Sequence, residues 1–353
     1  MAIKFANLSS KERKLLEVSR VAVRNAKTMA DLANTSWIDN LSSRSGWAMA
    51  PDSLKFLVRL IAQFKPLHIL EFGSGVSTYV MARACTKLKK SSSITSIDHD
   101  PEFGKTTAER LLYKFKLQCR ISFQLAPLVA RDFGGKTLPS YHLQDKLFAS
   151  TAPVDLVLID GPPVMLGGRE GVLYQTMEFA RLGTVVILDD ANRSEEKTII
   201  GRWRDILRDA IEVKLFTRFT KGLAVIVIVK PVEKHNLFTR RINVSAKEIG
   251  KLISKSKSFI LVGEEWWIRD QIASGRKVIP FTEKNCQYWG PPPNDNIAIE
   301  ELERLRTAGA SHIVFLWPSF WWLDYYVKLH HYLRSKFPCV LENDRLVIFD
   351  IRK

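Results

Sequence analysis

Residues 70–78 read Leu-Glu-Phe-Gly-Ser-Gly-Val-Ser-Thr, the end of an apolar run, His68–Phe72, followed by two glycines and a helical stretch. A run this short and apolar, closed by Gly73 and Gly75, predicts a buried strand that turns into a helix. Glycine has no Cβ, so the backbone at Gly73 and Gly75 can approach a ligand closely. Ligands of open α/β sheets sit at the carboxyl ends of strands, where this turn falls. Glu71 stands at the strand end, and a carboxylate there suits a cationic ligand group better than a pyrophosphate. The dinucleotide pattern G-x-G-x-x-G fails, because Thr78 occupies the third glycine position. A Walker A loop also fails, because no Gly-Lys-Ser/Thr follows.

Outward from this turn the chain alternates strands and helices. ITSID (94–98) is a second strand, and Asp98 at its end can accept hydrogen bonds from both hydroxyls of a ribose. Residues 101–115 are expected as a helix and 119–125 as a third strand. VDLVLID (154–160) is a continuous apolar run of the kind buried on both sheet faces. A helix over 169–181, a strand GTVVILDD (183–190) and a helix over 195–210 follow. IEVKLFTRF and GLAVIVIVK, joined at Thr220-Lys221-Gly222, read as an antiparallel hairpin. Five β-α units and a closing hairpin predict a mostly parallel sheet covered by helices.

The flanks differ. Helical periodicity over 10–35, a polar stretch with Asn40, Ser42, Ser43 and Gly46, and a helix from Pro51 to Phe64 predict a helical cap over 1–66. Residues 231–246 show no clear period and read as a linker. Strands over 258–263, 276–281 and 311–317, a helix over 297–309 and a hairpin around Asn343-Asp344 then predict a second unit. The expected organisation is an α/β chain: cap 1–66, Rossmann-like domain 67–232, and a smaller α/β domain 245–353.

Composition agrees. A chain of 353 residues, 46% hydrophobic and 25% charged, has the make-up of a soluble globular protein. No apolar run is long enough for a membrane span, and the first residues lack an apolar signal core, so a cytoplasmic location is expected. Cys85, Cys119, Cys286 and Cys339 are far apart and read as reduced core thiols. The net charge of +16 is spread along the chain rather than gathered in a tail. It favours anionic partners, such as nucleotide sugars, acidic glycans, nucleic acid or a membrane surface, or serves solubility alone.

Residues about 45–230 resemble class I S-adenosylmethionine-dependent methyltransferases, most of all a bacterial group carrying E-F-G-S-G-x-S-T, I-D-H-D-P and I-D-G-P-P turns, here 71–78, 97–101 and 159–163. The resemblance implies a seven-stranded sheet. It implies that Glu71, Gly73, Ser74 and Gly75 surround the methionine end of the cofactor and that Asp98 holds the ribose, with His99 beside the adenosine. Ala126-Pro127-Leu128 would lie near the adenine edge, recognising it through backbone and apolar contacts.

Asp160, Asp189 and Asp190 end two neighbouring strands. Three converging carboxylates suggest a site for a hard divalent cation such as magnesium. In catechol-type O-methyltransferases the metal is held by an Asp after the fourth strand and an Asp-Asn pair after the fifth. By that resemblance these three residues correspond, although the pair here is Asp-Asp and no catechol-type lysine base can be placed. A metal would lower the pKa of an acceptor hydroxyl. Otherwise Asp160 would help bind cofactor, Asp189 would cap the following loop, and one of these carboxylates or His99 would act as general base. The catalytic candidates are therefore Asp160, Asp189 and His99. Arg169 and Arg193 could hold a carboxylate or phosphate of the acceptor, or serve in ordinary ion pairs. His142 lies in an irregular stretch, 131–152, which could form a lid.

Residues 245–353 hold six of the nine tryptophans, in YWGPPPND (288–295), in WPSFWWLDYY (317–326) and at Trp266 and Trp267. Such rings stack on sugars and bases, and they also fill cores. The unit is similar to a C-terminal module that accompanies bacterial glycosyltransferases and methyltransferases of surface-glycan synthesis. That resemblance implies a small-molecule or glycan acceptor, polysaccharide biosynthesis and docking to glycan-synthesis enzymes. The expected function is O-methylation of a sugar or glycan-linked acceptor. The alternatives are a nucleic-acid methyltransferase, suggested by charge alone, and a non-catalytic partner in a glycan-synthesis assembly.

Overall fold

The structure is a computed structural model that describes residues 8–28, 35–39, 41, 48–88, 92–101, 106, 109–110, 113, 119–143, 154–263 and 268–352. The chain divides into two compact units, residues 1–133 with 137–234 and residues 134–136 with 235–353. No helix among the described residues is long and apolar enough to cross a membrane.

The first unit opens with helix α1 (Ser10–Thr28). Its start is a reciprocal cap: Ser9 N donates to Glu12 Oε2 at 2.7 Å, and Glu12 N donates to Ser9 Oγ at 3.3 Å. Its buried stripe is Leu16, Ser19, Ala22, Val23 and Ala26, whereas Leu15 and Val18 from the apolar pattern are exposed. Helix α2 (Pro51–Phe64) begins on Pro51 and buries Leu54, Leu57, Leu60 and Ile61. Lys65, in the left-handed region at φ 51°, ends it before Pro66. The polar stretch at Asn40–Gly46 lies almost wholly outside the described residues.

Strands β1 (His68–Phe72), β2 (Ser93–Asp98) and β3 (Arg120–Leu125) are parallel, with helix α3 (Val76–Thr86) between the first two. The helix expected over 101–115 lies mostly outside the described residues. Part of the stretch left irregular by sequence is a separate hairpin of β4 (Leu128–Asp132) and β5 (Thr137–Tyr141), turning at Gly134 and Gly135. Pro139 within β5 and the polar make-up of the strands hide the pattern, because proline is tolerated only where a sheet leaves its position unpaired. Residues 144–153 of the suggested lid are outside the described residues.

Strand β6 (Val154–Ile159) pairs in parallel with β1, helix α4 (Glu170–Thr176) follows, and β7 (Ala180–Asp189) pairs in parallel with β6. Helix α5 (Ser194–Leu207) leads to the hairpin of β8 (Ile211–Phe216) and β9 (Leu223–Ile228), and β9 is antiparallel to β7. The seven strands are ordered β3-β2-β1-β6-β7-β9-β8. The chain runs outward from β1 through β3 and returns to its other side as β6. Such a reversal opens a crevice at the carboxyl ends of β1 and β6.

The second unit contains helix α6 (Lys234–Leu252) where sequence reading placed a linker. Leu237, Ile242, Ala246 and Ile249 are buried, but so are Arg241 and Ser245, and these two polar residues on the buried face mask the helical period. Its sheet is ordered β11-β10-β14-β16-β15, built from β10 (Ser258–Val262), β11 (Lys277–Phe281), β14 (Ala310–Leu316), β15 (Cys339–Glu342) and β16 (Leu346–Asp350). A small hairpin, β12 (Glu283–Lys284) and β13 (Gln287–Tyr288), stands apart. Helices α7 (Arg269–Ala273), α8 (Asp295–Thr307), α9 (Trp321–Tyr325) and α10 (Val327–Lys336) complete the unit. Trp317 and Trp322 are core residues, Trp289 and Trp321 are exposed, and Trp266 and Trp267 lie outside the described residues. Of the four cysteines only Cys85 is buried and Cys286 is exposed, which corrects their reading as core thiols.

Candidate active site

The turn after β1 is pinned from both sides. Gly73 N donates to Ile97 O at 2.8 Å and Asp160 N donates to Phe72 O at 2.9 Å. Gly73 has φ 96°, and a Cβ there would lie 3.0 Å from Gly161 N, so only glycine suits the position. Ser74 N donates to Asp98 Oδ2 at 2.6 Å, and Asp100 N donates to Asp98 Oδ1 at 3.0 Å. The Asp98 carboxylate is thus oriented by backbone amides on both oxygens, and lone pairs remain for a ligand.

Glu71 is fully buried beneath the turn. Its carboxylate accepts from Ser77 Oγ at 2.5 Å, Thr78 Oγ1 at 2.5 Å and Ser96 Oγ at 2.6 Å. Burial pushes its carboxyl up to about 7, with the three hydroxyls pulling the other way. In this position Glu71 braces the turn from below through hydroxyl hydrogen bonds.

Above the turn lies a cleft of about 640 Å³ lined by Gly73, Ser74, Asp98, His99, Asp100, Tyr141, Asp160, Gly161, Pro163–Leu166, Arg169, Asp190 and Arg193. It brings together most of the residues singled out from sequence. Gly75, Ala126, Asp189 and Glu71 are outside this lining. Ala126 is buried, and its N donates to Asp98 O at 2.8 Å. His99 Nδ1 lies 3.3 Å from Asp98 Oδ1. Sequence reasoning missed Tyr141 and the turn Val164–Leu166, whose side chains are 44%, 76% and 44% exposed on the cleft wall. Three adjacent apolar residues after I-D-G-P-P were the available signal for that turn. His142 is exposed and borders a separate cavity of about 430 Å³ with Arg131, Gln175 and Glu178.

One carboxylate oxygen each from Asp160, Asp189 and Asp190 falls within 4.8 Å of the others. A guanidinium already stands among them. Arg169 Nη2 donates to Asp160 Oδ1 at 3.1 Å, to Asp190 Oδ2 at 3.2 Å and to Asp160 O at 2.8 Å, while Nη1 donates to Asp189 O at 3.0 Å. Glu196 Oε1 lies 3.7 Å from Nη1. Arg193 Nη1 is 3.0 Å and Lys221 Nζ 3.9 Å from Asp190. Burial pushes the Asp160 carboxyl up to about 7 against the pull of Arg169. Asp189 is fully buried, both its oxygens lack a hydrogen-bond donor among the described residues, and burial raises it well above the usual carboxylate range.

Magnesium prefers an octahedral oxygen shell rich in water. Here the space between two of the three carboxylates holds a guanidinium, and two further cations face Asp190. Among the described residues the charge of this cluster is thus met in part by Arg169, Arg193 and Lys221.

Residues 70–191, about a third of the chain, match the model of a family described as a methyltransferase domain. The match marks residues 70–191 as a methyltransferase-like domain. No curated protein matches the chain at a significant level. Among solved structures, the chain is similar to a methyltransferase from Podospora anserina bound to S-adenosylhomocysteine, at 14% identity over 63% of this chain and 97% of that one, with a TM-score of 0.41. It is also similar to the O-methyltransferase TomG of Streptomyces achromogenes, at 15% identity over 63% and 100% of the two chains, with a TM-score of 0.40. An O-methyltransferase from Bacillus cereus aligns at 16% identity over 62% and 99%, with a TM-score of 0.41.

Proposed function

We propose that this methyltransferase moves the methyl group of S-adenosylmethionine to a hydroxyl oxygen of a sugar or glycan-linked acceptor in the cytoplasm. The observation that carries the reading is the meeting of Asp98 and Asp160 on one cleft, at the ends of strands two places apart in the sheet. Asp98 would take the ribose. The turn at Gly73 and Ser74 would take the methionine portion, with Glu71 holding that turn from beneath. The acceptor oxygen would attack the sulfonium methyl, the O–C bond forming as the S–C bond breaks, with the hydroxyl proton passing to Asp160 and S-adenosylhomocysteine as the leaving group. Most of the rate comes from holding the two reactants in line.

Asp160 is the base in this scheme, because it reaches the cleft with its carboxyl held near neutrality. Asp189 stays behind it, fully buried. Arg169 supplies the positive charge that a metal would otherwise bring. Arg193, 42% exposed at the rim, is the arginine left to meet an anionic acceptor group. The exposed Val164–Leu166 turn would cover an apolar face of the acceptor.

The domain assignment in this reading is 1–66 as cap, 67–232 as the catalytic domain and 245–353 as an accessory unit for acceptor binding or docking to glycan-synthesis enzymes. Incubation with S-adenosylmethionine and a panel of nucleotide sugars and glycan extracts, read by mass spectrometry, tests the function. A gain of one methyl on a hydroxyl of a sugar supports it. Methylation confined to RNA or DNA in the same assay contradicts it.

A further inference from the structure

Tyr141, at the end of β5, is fully buried, yet its hydroxyl has no hydrogen-bond partner among the described residues. Leaving such a group unpaired forfeits its hydration without return, so a site that keeps one implies a missing partner. The residue is held with care. Its N donates to Gln175 Oε1 at 3.3 Å and its O accepts from Gln175 Nε2 at 2.7 Å. Its ring packs on Phe72 at 5.2 Å and meets His99 edge-on at 6.4 Å. The hydroxyl sits over Gly161, where a Cβ would fall 2.5 Å from it, so the I-D-G-P-P glycine makes room for this oxygen.

The charged groups around the phenol are Asp98, Arg169 and Asp160. Burial and Asp98 hold it well above the ordinary phenol range, so the hydroxyl stays protonated and serves as a donor. The same cleft wall carries Asp98 and His99.

We propose that the Tyr141 hydroxyl donates a hydrogen bond to the ribose of bound S-adenosylmethionine, sharing the sugar with Asp98. The assignment rests on the cofactor reading of the cleft. Tyr141→Phe removes one oxygen and keeps the packing, and because it removes an unpaired buried hydroxyl the variant should melt no lower than the wild type. Titration calorimetry with S-adenosylhomocysteine and with 5′-methylthioadenosine, which keeps the ribose and lacks the amino acid, tests the assignment. Both affinities should fall by a similar factor, roughly three- to tenfold. A loss confined to S-adenosylhomocysteine, or no loss for either ligand, overturns the ribose contact. Wild-type protein that binds neither ligand would instead sink the cofactor reading itself, which separates the two failures.

Discussion

The guanidinium of Arg169 lies 3.1 Å from the carboxylate of Asp160, with only 5% of the arginine side chain exposed. The contact joins the end of β6 to the start of α4 and places a fixed cation at the centre of the acidic cluster. Removing one member of such a buried pair leaves the other charge uncompensated. Arg169→Met should therefore lower unfolding free energy by about 3–5 kcal/mol. Denaturant melts of variant and wild type measure this, and a difference below about 1 kcal/mol would show that the arginine is not essential to the cluster.

The same contact predicts indifference to magnesium. Calorimetric titration of magnesium chloride into the protein should give no saturable heat, and methyl transfer should persist in excess chelator. Stoichiometric binding that disappears in Asp160→Asn would restore the carboxylates as metal ligands.

Asp98 accepts from two backbone amides and faces the cleft, so its charge is oriented before any ligand arrives. Asp98→Ala should weaken S-adenosylhomocysteine binding by roughly 1–3 kcal/mol, the scale of hydrogen bonds to a charged group. An unchanged dissociation constant would remove Asp98 from the ribose site.

Glu71 provides a pH test of the fold. Its carboxyl rises from an ordinary 4.5 to about 7 on burial. Between those two values the folded chain holds a proton that the unfolded chain has lost. This contribution is complete below about 4.5 and is lost as pH rises through about 7. Thermal melts from pH 5 to 8 should show a fall that is shallower in Glu71→Gln. Identical slopes in both proteins would mean that Glu71 does not titrate in this window.

The order of β-α units and the hairpin were legible because the strands of a parallel sheet are continuous apolar runs with glycine turns. His68–Phe72 and Val154–Ile159 are buried at every position. The hairpin Leu128–Tyr141 was not legible, because it is half-exposed and contains Pro139. Helix Lys234–Leu252 was missed because Arg241 and Ser245 sit on its buried face. In the site, the strand-end carboxylates announce themselves by position. What they face does not: Glu71 turns beneath the loop to three hydroxyls, and Arg169 is drawn in between Asp160 and Asp190. Those outcomes depend on side-chain directions that spacing along the chain leaves open. Tyr141 belongs to the same class, since it reaches the cleft from a hairpin that sequence patterning did not reveal.

The most direct measurement is titration of S-adenosylhomocysteine, with NAD as the comparison, into chelator-treated protein by isothermal calorimetry. Saturable one-to-one binding of S-adenosylhomocysteine without added metal is expected, with no heat from NAD. Binding of NAD with none of S-adenosylhomocysteine, or binding of S-adenosylhomocysteine only after a divalent cation is restored, would contradict it.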